Sequence, residues 1–272
     1  MLLLQICSIF SVVAPCPPGA ALRDLCNASR FQGTSVTTAS DPVLQIRGLV
    51  KQSGGLRPLR IRELTVSAAE RVSIGGLDAG VGELMVNLVT GASVPDQGDV
   101  RVFGQRTSDI PDGDAWLELL ERFGIVSPRA VLLEGSTLLQ NLAMPFTLQI
   151  DPVPAEVVAK VEAVAAECGL DPARWLPLRA GELPADVRVL AHLARALTLG
   201  PDFIVVEHPT VDVAPAAQGA LAAAMAAACD RRRIATLILT NDDVFGKAVA
   251  PRNLKLDGAT GALKPLKSGW FS

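Results

Sequence analysis

Tyrosine is absent from this 272-residue chain, and its aromatic content of 4% comes from Phe and Trp alone. So little π surface argues against a base-stacking platform for single-stranded nucleic acid or an aromatic cage for quaternary amines. Charge of one sign is also lacking: 25 basic residues face 28 acidic ones, and Arg231 to Arg233 is the only dense basic cluster, read as a helix end. No global field draws the chain to nucleic acid, which is not expected as a partner. The two histidines, His192 and His208, match no short metal motif, and the cysteines at 7, 16, 26, 168 and 229 form neither CxxC nor Cys/His spacing. No metal site and no disulfide framework are indicated, and a reducing compartment fits best.

Long apolar runs are scarce. Met1 to Ala14 is apolar but short for a bilayer span, has no Lys or Arg before Arg23, and is followed by a proline just before Cys16 where a lipoprotein signal would be cut. Residues 1–41 are expected to be an N-terminal extension, disordered or a misplaced translation start, dispensable for folding; a weak signal and a membrane-touching segment are the alternatives. Residues 268–272 are taken as a tail. The 49% apolar fraction predicts a compact globular body between them.

From Pro42 onward strands and helices alternate. Val43 to Leu49 and Pro58 to Val66 read as an antiparallel pair joined by a Gly-rich turn at Ser53 to Gly55. Arg71 to Ile74 reads as a short buried strand that breaks into Gly75, Gly76, Gly80 and Gly82 before the helical ELMVNLV. A strand, a Gly-rich loop and a helix can cradle phosphate through amides and the helix dipole; a plain tight turn is the competing reading. A dinucleotide fingerprint fits worse, because Met85 stands where the third glycine is needed.

DAWLELLERFG, TLLQNLAMPF and PAEVVAKVEAVAAECG carry helical spacing, the last with Pro154 in its first turn, and predict a helical subdomain over about 128–183. Then follow a helix (Ala185 to Leu199), a strand (Phe203 to Val206), an Ala-rich helix (Pro215 to Cys229), a strand (Ile234 to Thr240) and a hairpin around Gly258 to Gly261. Phe203 to Val206 shows no alternation, as in a strand covered on both faces, so Glu207 and His208 stand at its carboxyl end, where open parallel sheets hold ligands. His192 is read as a packed or surface histidine, and Leu193 to Leu197 as helix packing.

Five blocks in order, RVSIGGLDAGVGELMVNLVTG, GDVRVFG, TLLQNLAMPF, ELPADVRVLAHLARALTLGPDFIVVEHPT and LILTND, resemble the ATP-binding subunit of ABC transporters. The resemblance implies an α/β fold of the P-loop NTPase, ABC nucleotide-binding type, over residues 42–267, with an antiparallel β subdomain and a helical subdomain. It also implies a membrane permease and a second ATP-binding subunit, in a homo- or heterodimer, as partners, and a cytoplasmic location, peripheral on the inner face of the plasma membrane.

The same resemblance marks what is missing. Its phosphate loop falls on Gly76 to Glu83 and runs into Leu84, with Asp78 and Gly80 inside it, Val81 at the second glycine, Gly82 at the lysine and Glu83 at the hydroxyl that holds Mg²⁺, or, with a one-residue insertion, Glu83 at the lysine. A charge-assisted hydrogen bond of roughly 1.5–3 kcal/mol goes with the lysine. A carboxylate near phosphate opposes it by roughly 4 kcal/mol at 4 Å and an effective dielectric near 20. Leu183, Pro184, Ala185, Asp186 and Val187 occupy the signature loop, with Pro184 for its serine and Ala185 and Asp186 for its glycines. Glu207 replaces the Mg²⁺-supporting aspartate, His208 the general-base glutamate, Asn241 the γ-phosphate-sensing histidine, Ser127 or Pro128 the glutamine linked to the permease, and Ser53 or Gly54 the adenine-stacking aromatic.

The expectation is a catalytically impaired, ATPase-like subunit beside a permease, binding ATP and Mg²⁺ weakly or not at all. One alternative is a working ATPase that uses His208 as base, since an imidazole can accept a proton near neutral pH. The other is a cytoplasmic scaffold or regulator with the same fold.

Overall fold

The computed structural model describes residues 42–52 and 57–266. The expected N-terminal extension (1–41), the tail (268–272) and the turn at Ser53 to Gly55, with its adenine-side position, lie outside the described residues.

β1 (Pro42–Lys51) and β2 (Leu59–Ser67) pair antiparallel, with Ile46 opposite Leu64 and Leu49 opposite Ile61. Leu44, Ile46, Leu49, Leu59, Ile61, Leu64 and Val66 point inward and are buried, so the partial alternation in the sequence sets which face meets the core. β4 (Gln97–Val102) and β5 (Gln105–Arg106) extend this sheet in the order β2-β1-β4-β5.

The second sheet runs β10-β9-β3-β8-β7-β6. Its strands are β3 (Arg71–Gly75), β6 (Phe123–Val126), β7 (Phe203–Glu207), β8 (Ala235–Leu239), β9 (Arg252–Asp257) and β10 (Ala262–Pro265). β9, β3, β8, β7 and β6 are parallel; β10 closes the edge as the expected hairpin. Along β7 the two faces feed different cores. Phe203 and Val205 pack with Leu44, Ile74 and Leu88, whereas Ile204 and Val206 pack with Leu142, Val161 and Leu193. That double burial explains its unbroken apolar run.

α1 (Ala79–Val89) follows β3, and α2 (Gly113–Glu121) precedes β6. α3 (Leu138–Ala143), α4 (Ala155–Glu167), α5 (Pro172–Trp175) and α6 (Ala185–Leu197) supply most of the second core. α7 (Pro215–Arg232) and α8 (Asp243–Val249) complete the helices. The mixed α/β class expected from the sequence is the one observed.

Three local readings are corrected and one element is added. Phe123 and Gly124 open β6 rather than ending a helix; Arg122 caps α2, and Phe123 goes into register with Phe203 of β7. α1 begins at Ala79, so Gly80 and Gly82 lie within the helix and not in a loop, because the Asp78 carboxylate caps it and the Asp78 carbonyl already accepts from Gly82 N. Pro154 is the residue before α4 instead of part of its first turn. α8 was not read from the sequence; its start is fixed by Asp242, whose carboxylate accepts from Val244 N and Phe245 N.

Candidate functional site

The carboxyl ends of β3 and β7 and the start of α1 meet here. After β3 the chain turns at Gly76 with φ +81°, a left-handed conformation that glycine adopts without strain. Asp78 then caps α1: its Oδ1 accepts from Val81 N at 2.8 Å. An amide that a phosphate would need is therefore given to the chain's own carboxylate, which also completes the helix dipole.

β7 ends on Glu207 and His208, as read from the sequence, and both are buried, at 3% and 8% exposure. His208 has φ +41°, which is costly for a non-glycine residue, and its amide is held by Leu239 O at 2.8 Å. Its Nε2 lies 3.2 Å from the Asp78 carbonyl; since a carbonyl only accepts, Nε2 carries the proton. The ring rests on Gly82, where an added Cβ would lie 2.7 Å from His208 Nε2. Position 82 is glycine because an imidazole occupies the space a side chain would take.

Arg129, which sequence reasoning missed, organises the charges. Its guanidinium donates to Glu207 Oε2 at 2.8 Å and pairs with Glu83 Oε1 at 2.6 Å, linking the end of β7 to the second turn of α1. Ser127 Oγ donates to the same Glu207 oxygen at 2.7 Å and accepts from Arg129 N at 3.2 Å. The signal that could have found Arg129 is compensation: two carboxylates at one site require a cation, and Arg129 is the base nearest in sequence to Ser127 and Pro128.

Asp78, Gly82, Glu83, Glu207, His208 and Ser127 are thus brought together. Gly76 forms the turn, Gly80 is exposed on α1, and Leu84 packs half-buried against the core. Leu183 and Val187 are buried in the core of the helical elements, Pro184 precedes α6, and Ala185 and Asp186 form its half-buried first turn. None of these five, nor the exposed Asn241, bonds into the Arg129 network. No group of His, Cys, Asp and Glu able to hold a metal occurs among the described residues.

His192 lies buried on α6. Arg195 donates to its Nδ1 at 3.3 Å, so the proton sits on Nε2. Burial, with Arg195 and Arg188 close by, pushes its pKa from 6.5 down to about 3, so the ring stays neutral.

No protein-family model matches the chain. It is 28% identical over 180 residues to the lipoprotein-releasing system ATP-binding protein LolD of Chromohalobacter salexigens, covering 66% of this chain and 75% of that one. To LolD of Alcanivorax borkumensis it is 27% identical over 221 residues, 80% of this chain and 95% of the other. Its fold matches a dimeric post-hydrolysis ATP-binding cassette bound to ADP and Pi with a TM-score of 0.65 at 18% identity, over 84% of this chain and 100% of that one. Among the described residues no helix is long and apolar enough to cross a membrane. In fold and in sequence the chain is similar to the ATP-binding subunits of ABC transporters.

Proposed function

We propose that this chain is a non-hydrolysing ATP-binding-type subunit, peripheral on the cytoplasmic face of a membrane permease, where it acts structurally or as a regulator beside a second, active ATP-binding subunit. The observation that carries this reading is the ionic bridge Glu83–Arg129–Glu207, closed on its far side by the His208 ring against Gly82. A bound Mg²⁺-nucleotide would need the Val81 amide that Asp78 holds, a cation on the phosphates where Gly82 has none, and a metal ligand where Glu83 and Glu207 already share a guanidinium. The residues present fit each other and not that group. With its Nε2 proton directed at the Asp78 carbonyl, His208 keeps Nδ1 alone as an acceptor, so any base role would fall to that nitrogen.

Support for a permease beside it comes from Val131 and Leu133, 54% and 49% exposed, which follow the Ser127–Arg129 segment that the family resemblance links to the permease. Purified protein is expected to turn over Mg-ATP at background, with no change in His208→Ala. Turnover above background that His208→Ala abolishes would overturn the reading, as would tight Mg-ATP binding by calorimetry.

A further inference from the structure

Both histidines of the chain line one cavity of about 330 Å³, and no residue of the phosphate loop or α1 takes part in its wall. Glu207 and His208 line it, whereas Gly82, against which the His208 ring rests, does not, so the cavity is distinct from the phosphate loop. The size lies at the lower end of small-molecule sites, which span roughly 300–1,000 Å³.

Its charges select the ligand class. Arg188 on α6, Glu134 and Asp212 line it and are exposed, and their side chains make no ion pair or hydrogen bond. Glu207 shares Arg129 with Glu83, and His192 presents a neutral ring whose proton is on Nε2. Apart from that bridge the lining carries one positive and two negative groups, a net −1, which disfavours an anion such as a phosphate or a dicarboxylate. A single cation beside two acids, with Leu132, Val189 and Val213 as apolar wall, suits a molecule that carries one carboxylate, one ammonium and an aliphatic body.

We propose that this cavity binds a small aliphatic α-amino acid, with Arg188 on the carboxylate, Glu134 and Asp212 on the ammonium, and His192 donating a hydrogen bond from Nε2. The wall is tied to the helix that carries Arg188 and His192, since Arg195 of that helix donates to Val131 O at 2.7 Å.

The test is calorimetry on the purified full chain with three probes of one shape: L-leucine, L-leucinamide, which lacks the carboxylate, and isocaproate, which lacks the ammonium. Leucine is expected to give saturable heat and each analogue to bind about tenfold more weakly, the loss of one charge-assisted contact. Arg188→Ala should erase the preference for leucine over leucinamide, and Glu134→Gln with Asp212→Asn the preference over isocaproate. All three positions are exposed and unpaired, so the variants are expected to keep the parent's circular dichroism and melting temperature. Ala185→Phe, at the cavity wall, should abolish leucine binding. Absence of saturable leucine heat, equal affinity for the three probes, or unaltered leucine affinity in Arg188→Ala would overturn the assignment.

Discussion

At position 82 an added Cβ lies 2.7 Å from His208 Nε2 and 3.6 Å from Glu207 Cγ, so the lysine lost from the phosphate loop cannot be restored by itself. Gly82→Lys with Glu83→Ser returns the missing charge and hydroxyl, yet the new stem meets a buried ring. It is expected to cost about 1–3 kcal/mol of stability as an overpacked site and to gain no measurable nucleotide affinity. Adding His208→Ala to the pair removes the ring, and Mg-ATP binding by calorimetry should then appear. Binding gained equally without the His208 change would show that the ring yields freely. Arg129 offers a second check. Arg129→Met leaves the carboxylate of Glu207, 3% exposed, without its cation, and should lower the free energy of urea unfolding by about 3–5 kcal/mol. Glu207→Gln in the same chain should recover most of that. A loss without recovery would mean that Arg129 acts through packing alone.

Helix ends carry the next level of organisation. Arg232, in the last turn of α7, pairs bidentately with Glu167 at the end of α4, at 2.6 and 2.5 Å, and donates to Leu197 O at the end of α6. The neighbouring Arg233 sits at φ +54° with an exposed side chain. Arg232→Ala is expected to destabilise by about 2–3 kcal/mol, as the half-buried Glu167 loses its partner, whereas Arg233→Gly should stabilise by about 0.5–1 kcal/mol by relieving the left-handed backbone. Thermal unfolding of the two variants in parallel decides it; equal losses would contradict the assignment. The Arg231 to Arg233 cluster was legible as a helix end because a basic last turn suits the helix dipole. β7 was legible because four apolar residues without alternation have few other homes. β6 was not: FGIV follows LELLER with no Gly-Pro break, and only pairing with a strand 80 residues later, at Phe203, makes it extended. The start of α1 was missed for a related reason, since glycines argue for a loop and only the Asp78 cap overrides them. At the site, the sequence located Glu207 and His208 by strand position, but Arg129 acts over 78 residues and leaves no local pattern.

For the whole molecule, the family resemblance places each nucleotide between one subunit's phosphate loop and the other's signature loop. Here the first is filled by Asp78, His208 and Arg129, and the second begins at Pro184 with Asp186 in the first helical turn. On the proposed function, a partner with both loops intact should face a defective surface at either composite site. Co-expressed with the ATP-binding subunit that co-purifies with it, this chain should lower or leave unchanged the hydrolysis per active subunit as its share rises. A maximum at one-to-one that collapses in Asp186→Lys would show that the signature loop works. The bridge Glu83–Arg129–Glu207 has a last consequence, in the cell's energy economy. A subunit saturated at a hundred times its Kd owes about 2.7 kcal/mol of its folding stability to bound nucleotide, and loses it when adenylate pools fall. On the proposed function, with a guanidinium in that place, this chain should keep the same melting point whether or not Mg-ATP is present, a fixed reference beside subunits that follow the ATP supply.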